Sequence, residues 1–253
     1  MDNKKETLGQ YFTKPEIVEK LLTLIFEYKK YVTSSAILEP SFGTGNFLNI
    51  LQKKGFENIT GYEIDPEMSR NPMDFFLVPT DQKFDLVVGN PPFTKYNLKN
   101  SYYYASKYQR ESYGPENYLN KENIKSDKHK IENIFILKSI QHLRDDSSSI
   151  GFVLPISFFI KNRNKYVKKE LRSKFSTIII YQNDQVWFDR NIPCCFVFFT
   201  NIESFKNKII VAYENGKKSE DVFDISNIDE ELIPQVIFNK NHCTGQFRPT
   251  QGE

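Results

Sequence analysis

Apolar runs and segments of helical periodicity alternate along most of the chain. Where apolar and β-branched residues follow one another without polar residues between them, the pattern predicts strands that are buried on both faces. The predicted strands are 36–38, 59–64, 84–88, 150–154, 177–181, 195–200 and 208–213. Apolar residues that recur at helical spacing predict helices between them. The predicted helices are 14–31, 46–54, 131–143 and 161–175.

This alternation predicts the fold class. Strands that are joined through helices form parallel sheets, so we expect an α/β, Rossmann-like, doubly wound and mostly parallel sheet with late antiparallel strands. Residues 1–202 are expected to form one domain, and 203–253 a C-terminal extension. Within the domain, residues 94–130 are rich in Tyr, Asn, Ser and Lys and lack apolar periodicity, which predicts a long loop.

Thr13 is expected to start the first helix. It precedes Pro15 by two residues and Glu16 by three, and this spacing is that of a capping box. In such a box the threonine hydroxyl accepts a hydrogen bond from the first helical turn. Thr13 would therefore be the N-cap residue.

A glycine loop follows the first predicted strand. Residues 39–47 read EPSFGTGNF, and Glu63 lies at the end of the next strand. A glycine turn that opens a helix, with an acid after the second strand, is an arrangement in which the acid binds ribose hydroxyls. The loop has neither a P-loop lysine nor GxGxxG spacing, which favours a nucleoside without phosphates. A helix start with glycines for packing remains an alternative.

The strand 84–88 runs into the sequence Gly-Asn-Pro-Pro-Phe. Pro91 and Pro92 have no backbone N–H and a fixed φ, so the chain after Asn90 is stiff and cannot continue a sheet ladder. The carbonyl groups of this turn are left without strand partners. We therefore expect a ligand to use them.

Composition excludes several classes of protein. The 253 residues carry a net charge of +2 and three cysteines without a CxxC pair, so neither a disulfide framework nor a zinc site is indicated. No apolar run reaches the length of a membrane span and residues 1–5 lack a signal-peptide core, so a cytoplasmic location is expected. The basic stretch 161–174 predicts either a solvated helix face or a phosphate-contacting one. Three lone histidines are expected at the surface: His129, His142 and His242.

The order of these motifs resembles the S-adenosylmethionine-dependent adenine-N6 DNA methyltransferases with gamma motif order, the restriction-modification type. The matching pieces are GQYFTKP, LEPSFGTGNFL, GYEIDP, MDFFL, GNPPF, FVLP and WFDRNIPCCFVFF. The chain departs from the family at 66–73, which is too short for a full helix and a third strand, so we expect a reduced sheet there. The Asn-Pro-Pro-aromatic sequence is also shared with some RNA guanine-N2 and protein glutamine methyltransferases.

The resemblance implies a site for S-adenosylmethionine. Its residues would be Thr13, Glu39, Pro40, Gly43, Gly45, Glu63, Ile64, Asp74 and Phe75. Thr13 would contact the methionine end, Glu63 the ribose hydroxyls, and Ile64 the adenine face. Asp74 would accept a hydrogen bond from the exocyclic amine of the cofactor, and the Phe75 backbone would serve the edge of the ring. For Asp74, a helix cap or turn role remains the alternative.

The resemblance also explains the stiff turn through the chemistry of adenine. The exocyclic amine is a poor nucleophile, because its lone pair is delocalised into the ring. The Asn90 oxygen and the Pro91 carbonyl, held in place by Pro92, would accept hydrogen bonds from its two N–H groups and stabilise the transition state without a base or a metal. Phe93 and Phe188 would stack on an adenine that is flipped out of the duplex. A core position is the alternative for Phe188.

Double-stranded DNA is the partner that the resemblance implies. Members of the family carry a recognition domain after the catalytic one, whereas here about fifty residues follow residue 200. Acids that face few lysines are expected in them: Glu220, Asp221, Asp224, Asp229, Glu230 and Glu231. We therefore expect a recognition domain or a specificity subunit outside this chain. Methylation of RNA, protein or cytosine-N4, and a non-catalytic nucleic-acid-binding subunit, remain alternative functions.

Overall fold

The computed structural model describes residues 9–93, 131–160, 164–189, 192–215 and 217–226. Its strands are β1 Ile37–Glu39, β2 Ile59–Gly61, β3 Leu86–Gly89, β4 Ser149–Pro155, β5 Thr177–Asn183, β6 Cys194–Thr200, β7 Lys208–Asn215 and β8 Lys217–Asp224. Its α-helices are α1 Pro15–Tyr28, α2 Asn46–Lys53, α3 Ile131–Gln141, α4 Ser157–Ile160 and α5 Lys165–Lys174. Short 3₁₀ turns lie at Phe75–Leu77 and Glu203–Phe205. Within these ranges, no helix has the length and apolar character needed to span a membrane.

The eight described strands form one sheet in the order β2-β1-β3-β4-β6-β5-β7-β8. β1 pairs in parallel with both β2 and β3, and β3 pairs in parallel with β4. β6 is antiparallel to its neighbours β4 and β5, while β5 and β7 are parallel again. This topology confirms the predicted doubly wound, mostly parallel sheet with late antiparallel strands.

Helices cover both faces of the sheet, and each face has its own apolar core. On one face, α1 and α2 pack side chains such as Leu21, Ile25 and Ile50 against the strands. On the other face, α3 and α5 contribute Ile134 and Leu171. Successive strand residues alternate between these two cores, and because both are apolar, the strands read as continuous apolar runs.

The sheet is reduced next to β2, as the short stretch 66–73 predicts. Between β2 and β3, where the chain is described throughout, it forms a 3₁₀ turn and no strand. β2 is also shorter than predicted and ends at Gly61, because Glu63 turns toward the glycine loop. The carboxyl end of β1 therefore lies close to this edge of the sheet.

Helix α1 starts at Pro15, and its N-cap is Lys14 rather than the predicted Thr13. The ring of a proline excludes the preceding residue from the helical region, and Lys14 is accordingly extended, with φ −61° and ψ 144°. Thr13 lies one residue too early to cap the helix, and its buried Oγ1 has no hydrogen-bond partner among the described residues. The capping-box prediction is wrong, and the hydroxyl is left for another role.

Strands β7 and β8 extend the sheet beyond residue 202. The sequence analysis does not predict β8, because this edge strand is mostly exposed and polar. Its acids are also better paired than expected: Lys208 lies 2.6 Å from Asp224, and Lys218 lies 3.4 Å from Glu220. The expectation of acids that face few lysines is wrong for these two. The domain boundary near residue 202 remains a prediction.

Several predictions concern residues outside the described ranges. They are the loop 94–130, the start of the helix 161–175, His129, His242 and the acids Asp229, Glu230 and Glu231. The described part of that helix is α5, where Lys168 is buried and donates to the Phe159 carbonyl at 2.9 Å. This lysine therefore belongs neither to a solvated face nor to a phosphate-contacting one.

His142 is buried, so the expectation of a surface histidine is wrong for it. Its Nδ1 lies 3.0 Å from the Gln82 carbonyl oxygen, and its ring lies 5.3 Å from the Phe75 ring. Burial lowers the pKa of His142 to about 4, against the opposing effect of the Gln82 hydrogen bond. The imidazole is therefore neutral in the folded protein near neutral pH.

We expect His142 to make the fold less stable in acid. The unfolded chain takes up a proton on this residue near pH 6.5, whereas the folded protein does so near pH 4. The contribution to stability is therefore fully present above pH 6.5 and is lost as the pH falls toward 4. Melting temperatures of the wild type and of His142→Phe, compared across this range, should fall more steeply in the wild type. Parallel curves would contradict a neutral buried imidazole.

Candidate functional site

A cavity of about 110 Å³ opens at the carboxyl ends of β1 and β3. Ligands of open α/β sheets bind at this edge, where the strand order reverses around the first strand. Ten of the predicted site residues line the cavity: Thr13, Glu39, Pro40, Gly43, Glu63, Ile64, Asp74, Phe75, Asn90 and Pro92. Gly45, Pro91, Phe93 and Phe188 are not part of the lining. The structure therefore brings most of the predicted site together.

Two glycines shape the loop between β1 and α2. Gly43 has φ +50° and Gly45, the N-cap of α2, has φ +76°, in the region that favours glycine. A Cβ on Gly43 would lie 2.7 Å from the Phe12 ring, so a larger residue would force this ring to move. The Gly43 N–H donates to Glu63 Oε2 at 2.8 Å. The glycines therefore do more than start a helix.

Glu63 is held by backbone donors on both carboxylate oxygens. Oε2 accepts from Gly43, and Oε1 accepts from the Asp65 N–H at 2.9 Å. Burial raises the pKa of the Glu63 carboxyl, and these N–H groups lower it. Each carboxylate oxygen has a second lone pair. The fixed carboxylate can therefore still accept two hydrogen bonds from a ligand, which is what a pair of ribose hydroxyls requires.

Glu39 ends β1 with a buried carboxyl group. Its Oε2 has no hydrogen-bond partner in the part of the chain that the structure describes. Burial raises the pKa of Glu39 well above its usual range, the Leu48 N–H lowers it, and the charge of Glu63 raises it further. A ligand that donates a hydrogen bond or carries a positive charge would favour the ionised form.

The two oxygens of Asp74 differ in their hydrogen bonds within the described residues. Oδ1 accepts from the Phe76 N–H at 2.9 Å and caps the 3₁₀ turn Phe75–Leu77, so the alternative role as a cap is confirmed. Oδ2 is buried and finds no donor within the described residues. Burial raises the pKa of Asp74 to about 7, although the Phe76 N–H and the charge of Lys138 lower it. The capping role leaves Oδ2 available to a ligand.

Asn90 is oriented by its side-chain nitrogen. Nδ2 donates to the Tyr11 carbonyl, and the buried Oδ1 has no donor in the described ranges. The Ser41 hydroxyl donates to the Asn90 carbonyl at 3.3 Å and holds the backbone. Among the described residues, none donates a hydrogen bond to the Pro91 carbonyl. Asn90 Oδ1 and the Pro91 carbonyl are therefore acceptors of this turn for which the described residues provide no donor.

Four residues that line the cavity each have a buried oxygen that receives no hydrogen bond from the described residues. They are Thr13 Oγ1, Glu39 Oε2, Asp74 Oδ2 and Asn90 Oδ1. An unsatisfied buried polar group costs about 1–3 kcal/mol, and most buried groups in proteins are paired. The cavity therefore suits a ligand with several N–H, O–H or ammonium donors. The amine, hydroxyl and ammonium groups of S-adenosylmethionine fit the acceptors on Thr13, Glu39 and Asp74, which leaves Asn90 Oδ1 for a further donor.

The ring of Tyr11, which was not predicted as a site residue, lies beside the predicted stacking residues Phe93 and Phe188. The centroids of Tyr11, Phe93 and Phe188 are each 6.1 Å apart. Phe188 is only 1% exposed and belongs to the core on the α1 face, as its alternative role predicts. Trp187 is also buried, and its Nε1 donates to Asn183 Oδ1 at 2.6 Å. Tyr11 stands in the GQYFTKP motif, which was the available signal.

Residues 9–14, here called the cap segment, are fixed to three other parts of the site. Asn46 Nδ2 donates to the Thr13 carbonyl at 2.8 Å, and Gln10 Nε2 donates to Asp65 Oδ2 at 2.8 Å. The Phe93 N–H donates to the Gly9 carbonyl at 3.2 Å. Gln10 and Asn46 were not predicted as site residues, because their role depends on contacts that are distant in sequence.

The fold and the cavity define an α/β nucleoside-binding domain with a preformed set of acceptors. The chain belongs to the Eco57I restriction-modification methylase family, whose profile matches residues 19–188. Type II methyltransferase M.HincII of Haemophilus influenzae is 29% identical over 236 residues, which cover 91% of this chain and 41% of that protein. The chain therefore spans less than half the length of this relative. S-adenosylmethionine is the cofactor that this family uses.

Solved structures show the same fold at low sequence identity. The protein in the DrdV-DNA complex matches with a TM-score of 0.60 and 16% identity, over 83% of this chain and 28% of that chain. The methyltransferase subunit of a type I restriction-modification system from Streptococcus thermophilus matches with a TM-score of 0.57 and 15% identity, over 90% of this chain and 52% of that chain. These matches confirm the predicted fold class.

Thr13→Val should separate ligand binding from stability. The change removes a buried hydroxyl that has no partner in the described structure, so the melting temperature of the ligand-free protein should stay equal or rise. The affinity for S-adenosylmethionine, measured by calorimetry, should fall by up to about tenfold, the value of one hydrogen bond.

Thr200→Val is the matched control. Thr200 is also buried, but its hydroxyl lies 2.9 Å from Ser149 Oγ, and neither residue lines the cavity. This variant should melt at a lower temperature and keep its affinity for the cofactor. Equal affinity loss in both variants would show that Thr13 does not contact the ligand.

Proposed function

We propose that this chain transfers a methyl group from S-adenosylmethionine to the exocyclic N6 amine of an adenine flipped out of DNA, as the modification part of a restriction-modification system. The observation that carries the proposal is the Asn90 amide. Its nitrogen is engaged by the Tyr11 carbonyl, and its buried oxygen lacks a donor within the described residues. Such an acceptor suits an amine with two N–H groups. The proposed location is the cytoplasm, where cysteines stay reduced.

The mechanism rests on two acceptors that are fixed before the substrate binds. Bound S-adenosylmethionine supplies an electrophilic methyl group on a sulfonium. Asn90 Oδ1 accepts one N–H of the adenine amine and the Pro91 carbonyl accepts the other, so the nitrogen approaches tetrahedral geometry. Both oxygens then stabilise the positive charge that develops on the nitrogen in the transition state. An amine held in this way would form its N–C bond as the C–S bond breaks, S-adenosylhomocysteine would leave, and the extra N–H proton would pass to solvent.

A flipped adenine needs space among the rings of Tyr11, Phe93 and Phe188. A base between two parallel rings needs about 7 Å between their planes, twice a van der Waals contact. The Phe93 and Phe188 rings are 6.1 Å apart and meet at 79°, which leaves no such gap. We propose that Tyr11 and Phe188 move when the base binds. Stacking is worth about 1–3 kcal/mol per base and offsets the cost of flipping.

Two comparisons support DNA as the substrate. M.HincII is a Type II methyltransferase, and DrdV was solved as a complex with DNA. The matched regions cover 41% and 28% of those proteins, so both have long parts without a counterpart in this chain. We propose that a recognition domain or a specificity subunit outside these residues selects the DNA sequence.

The same acceptor pair also suits the amines of guanine-N2, cytosine-N4 and glutamine amides. The substrate class therefore needs a direct test. Labelled methyl groups from S-adenosylmethionine should be transferred to DNA, and not to tRNA, ribosomal RNA or protein, in parallel assays. Nucleoside analysis should identify N6-methyladenine. With this chain alone, labelling of random-sequence DNA should be weak, salt-sensitive and poorly selective. Efficient labelling of RNA or protein, or tight site-specific action on DNA without a partner, would contradict the respective part of the proposal.

Asn90→Ala should abolish methyl transfer and keep cofactor affinity within a few fold. The lost oxygen acts on the target amine, and removal of such an acceptor costs about 10²-fold or more in rate. Single-turnover transfer and calorimetric titration with S-adenosylmethionine measure the two effects. Asn71→Ala, at an exposed asparagine, is the control and should keep full activity. Retention of more than about a tenth of the activity in Asn90→Ala would refute the assigned role.

A further inference from the structure

Lys138 is a fully buried lysine on α3, behind the cavity wall. Its Nζ donates to the Val78 carbonyl. Burial lowers the pKa of Lys138 to about 8, and the charge of Asp74 raises it. A buried lysine is rare unless it is paired, because removal of its charge from water is costly. The proposed mechanism does not use this residue, so its position needs a separate explanation.

The position of Lys138 connects it to the turn that carries Asp74. Asp74 caps the start of the 3₁₀ turn Phe75–Leu77, and Val78 caps its end. Lys138 therefore binds the last carbonyl of the same turn. One helical turn earlier on α3, the Phe135 ring packs 5.5 Å from the Phe75 ring. Ring packing and the lysine together fix the turn against α3.

Lys138 is also the cation that acts on Asp74 within the described structure. Burial raises the pKa of Asp74, whereas the Phe76 N–H and the charge of Lys138 both lower it. The neighbouring His142 is neutral near pH 7. Across the cavity, Glu63 acts on Glu39 and is held by backbone N–H groups. Lys83 and Asp81 act on His142 with opposite signs, and α3 also carries the buried acid Glu132.

We propose that Lys138 is a positioning residue that keeps the unpaired oxygen of Asp74 a carboxylate acceptor, and so makes the cavity select adenine over hypoxanthine at the nucleoside end of the cofactor. The inference rests on the proposed contact between Asp74 and the cofactor amine. A carboxylate accepts from the N6 amine of adenine and repels the O6 carbonyl of hypoxanthine. A protonated carboxyl would donate to that O6, and the selectivity would be lost.

The test compares two stable ligands across pH. S-adenosylhomocysteine and S-inosylhomocysteine are titrated by calorimetry against the wild type, Lys138→Met and Asp74→Asn between pH 6 and 9. In the wild type, the affinity ratio should favour the adenosyl ligand at pH 8 and fall as the pH drops through about 7, the pKa of Asp74. Without the lysine charge, the pKa of Asp74 rises, so this fall should move to higher pH. At pH 7.5, the ratio should be about threefold or more below that of the wild type.

Lys168→Met is the matched control, because Lys168 is also a buried lysine that donates to a backbone carbonyl, that of Phe159. It should lose stability and keep the wild-type pH dependence of the ratio. If Lys138→Met does not fold, Lys138→Gln takes its place, since glutamine can donate to Val78 without a charge.

Each result decides the inference. If the affinity ratio of the Lys138 variant depends on pH as it does in the wild type, the role of Lys138 is refuted. If Asp74→Asn has the same affinity ratio as the wild type, Asp74 does not contact the cofactor amine. The proposed methyl transfer would not be affected by this result. If the wild type binds neither ligand, the proposed function fails as well.

Discussion

The hydrogen bond from Asn90 Nδ2 to the Tyr11 carbonyl determines how the rest of the site is arranged. An amide has one donor end and one acceptor end, and a buried amide can present to a ligand only the end that the protein leaves free. Because the Tyr11 carbonyl holds the nitrogen, the amide cannot turn over, and its oxygen keeps its place as the acceptor. The same bond ties the cap segment to the carboxyl end of β3 and encloses the cavity. The choice between donor and acceptor is thus made by the fold before any ligand binds.

Backbone groups do the same for the acids of the cavity. The Phe76 N–H occupies one oxygen of Asp74, and the Gly43 and Asp65 N–H groups hold Glu63. Side-chain freedom is lost in the free protein, and the remaining lone pairs are fixed where a nucleoside can use them. The cost is the burial of acceptors that have no donor among the described residues, which a bound ligand would relieve. Stability and affinity are therefore opposed at this edge of the sheet.

The central strands and several of the acids at their ends could be predicted from sequence, since both faces of the sheet are apolar and each loop follows a recognisable run. The features that could not be predicted depend on distant contacts. His142 stands in a polar stretch, but Phe75 and Phe84 enclose it. β8 lies at an exposed edge and has no apolar run, and Pro15 moves the start of α1 past Thr13. The roles of the site residues toward ligands remain predictions.

The cap segment carries Tyr11, in the aromatic cluster, and Thr13, in the cofactor cavity. Both carbonyls are tied, one to Asn90 and the other to Asn46. Because Thr13 lies only two residues after Tyr11, a base that displaced the Tyr11 backbone would also displace Thr13. Binding linkage is reciprocal: a base that binds more tightly to the loaded protein must strengthen the binding of the cofactor by the same factor. Under the proposed function, each ligand would then act as an effector of the other through two residues of main chain, whichever binds first.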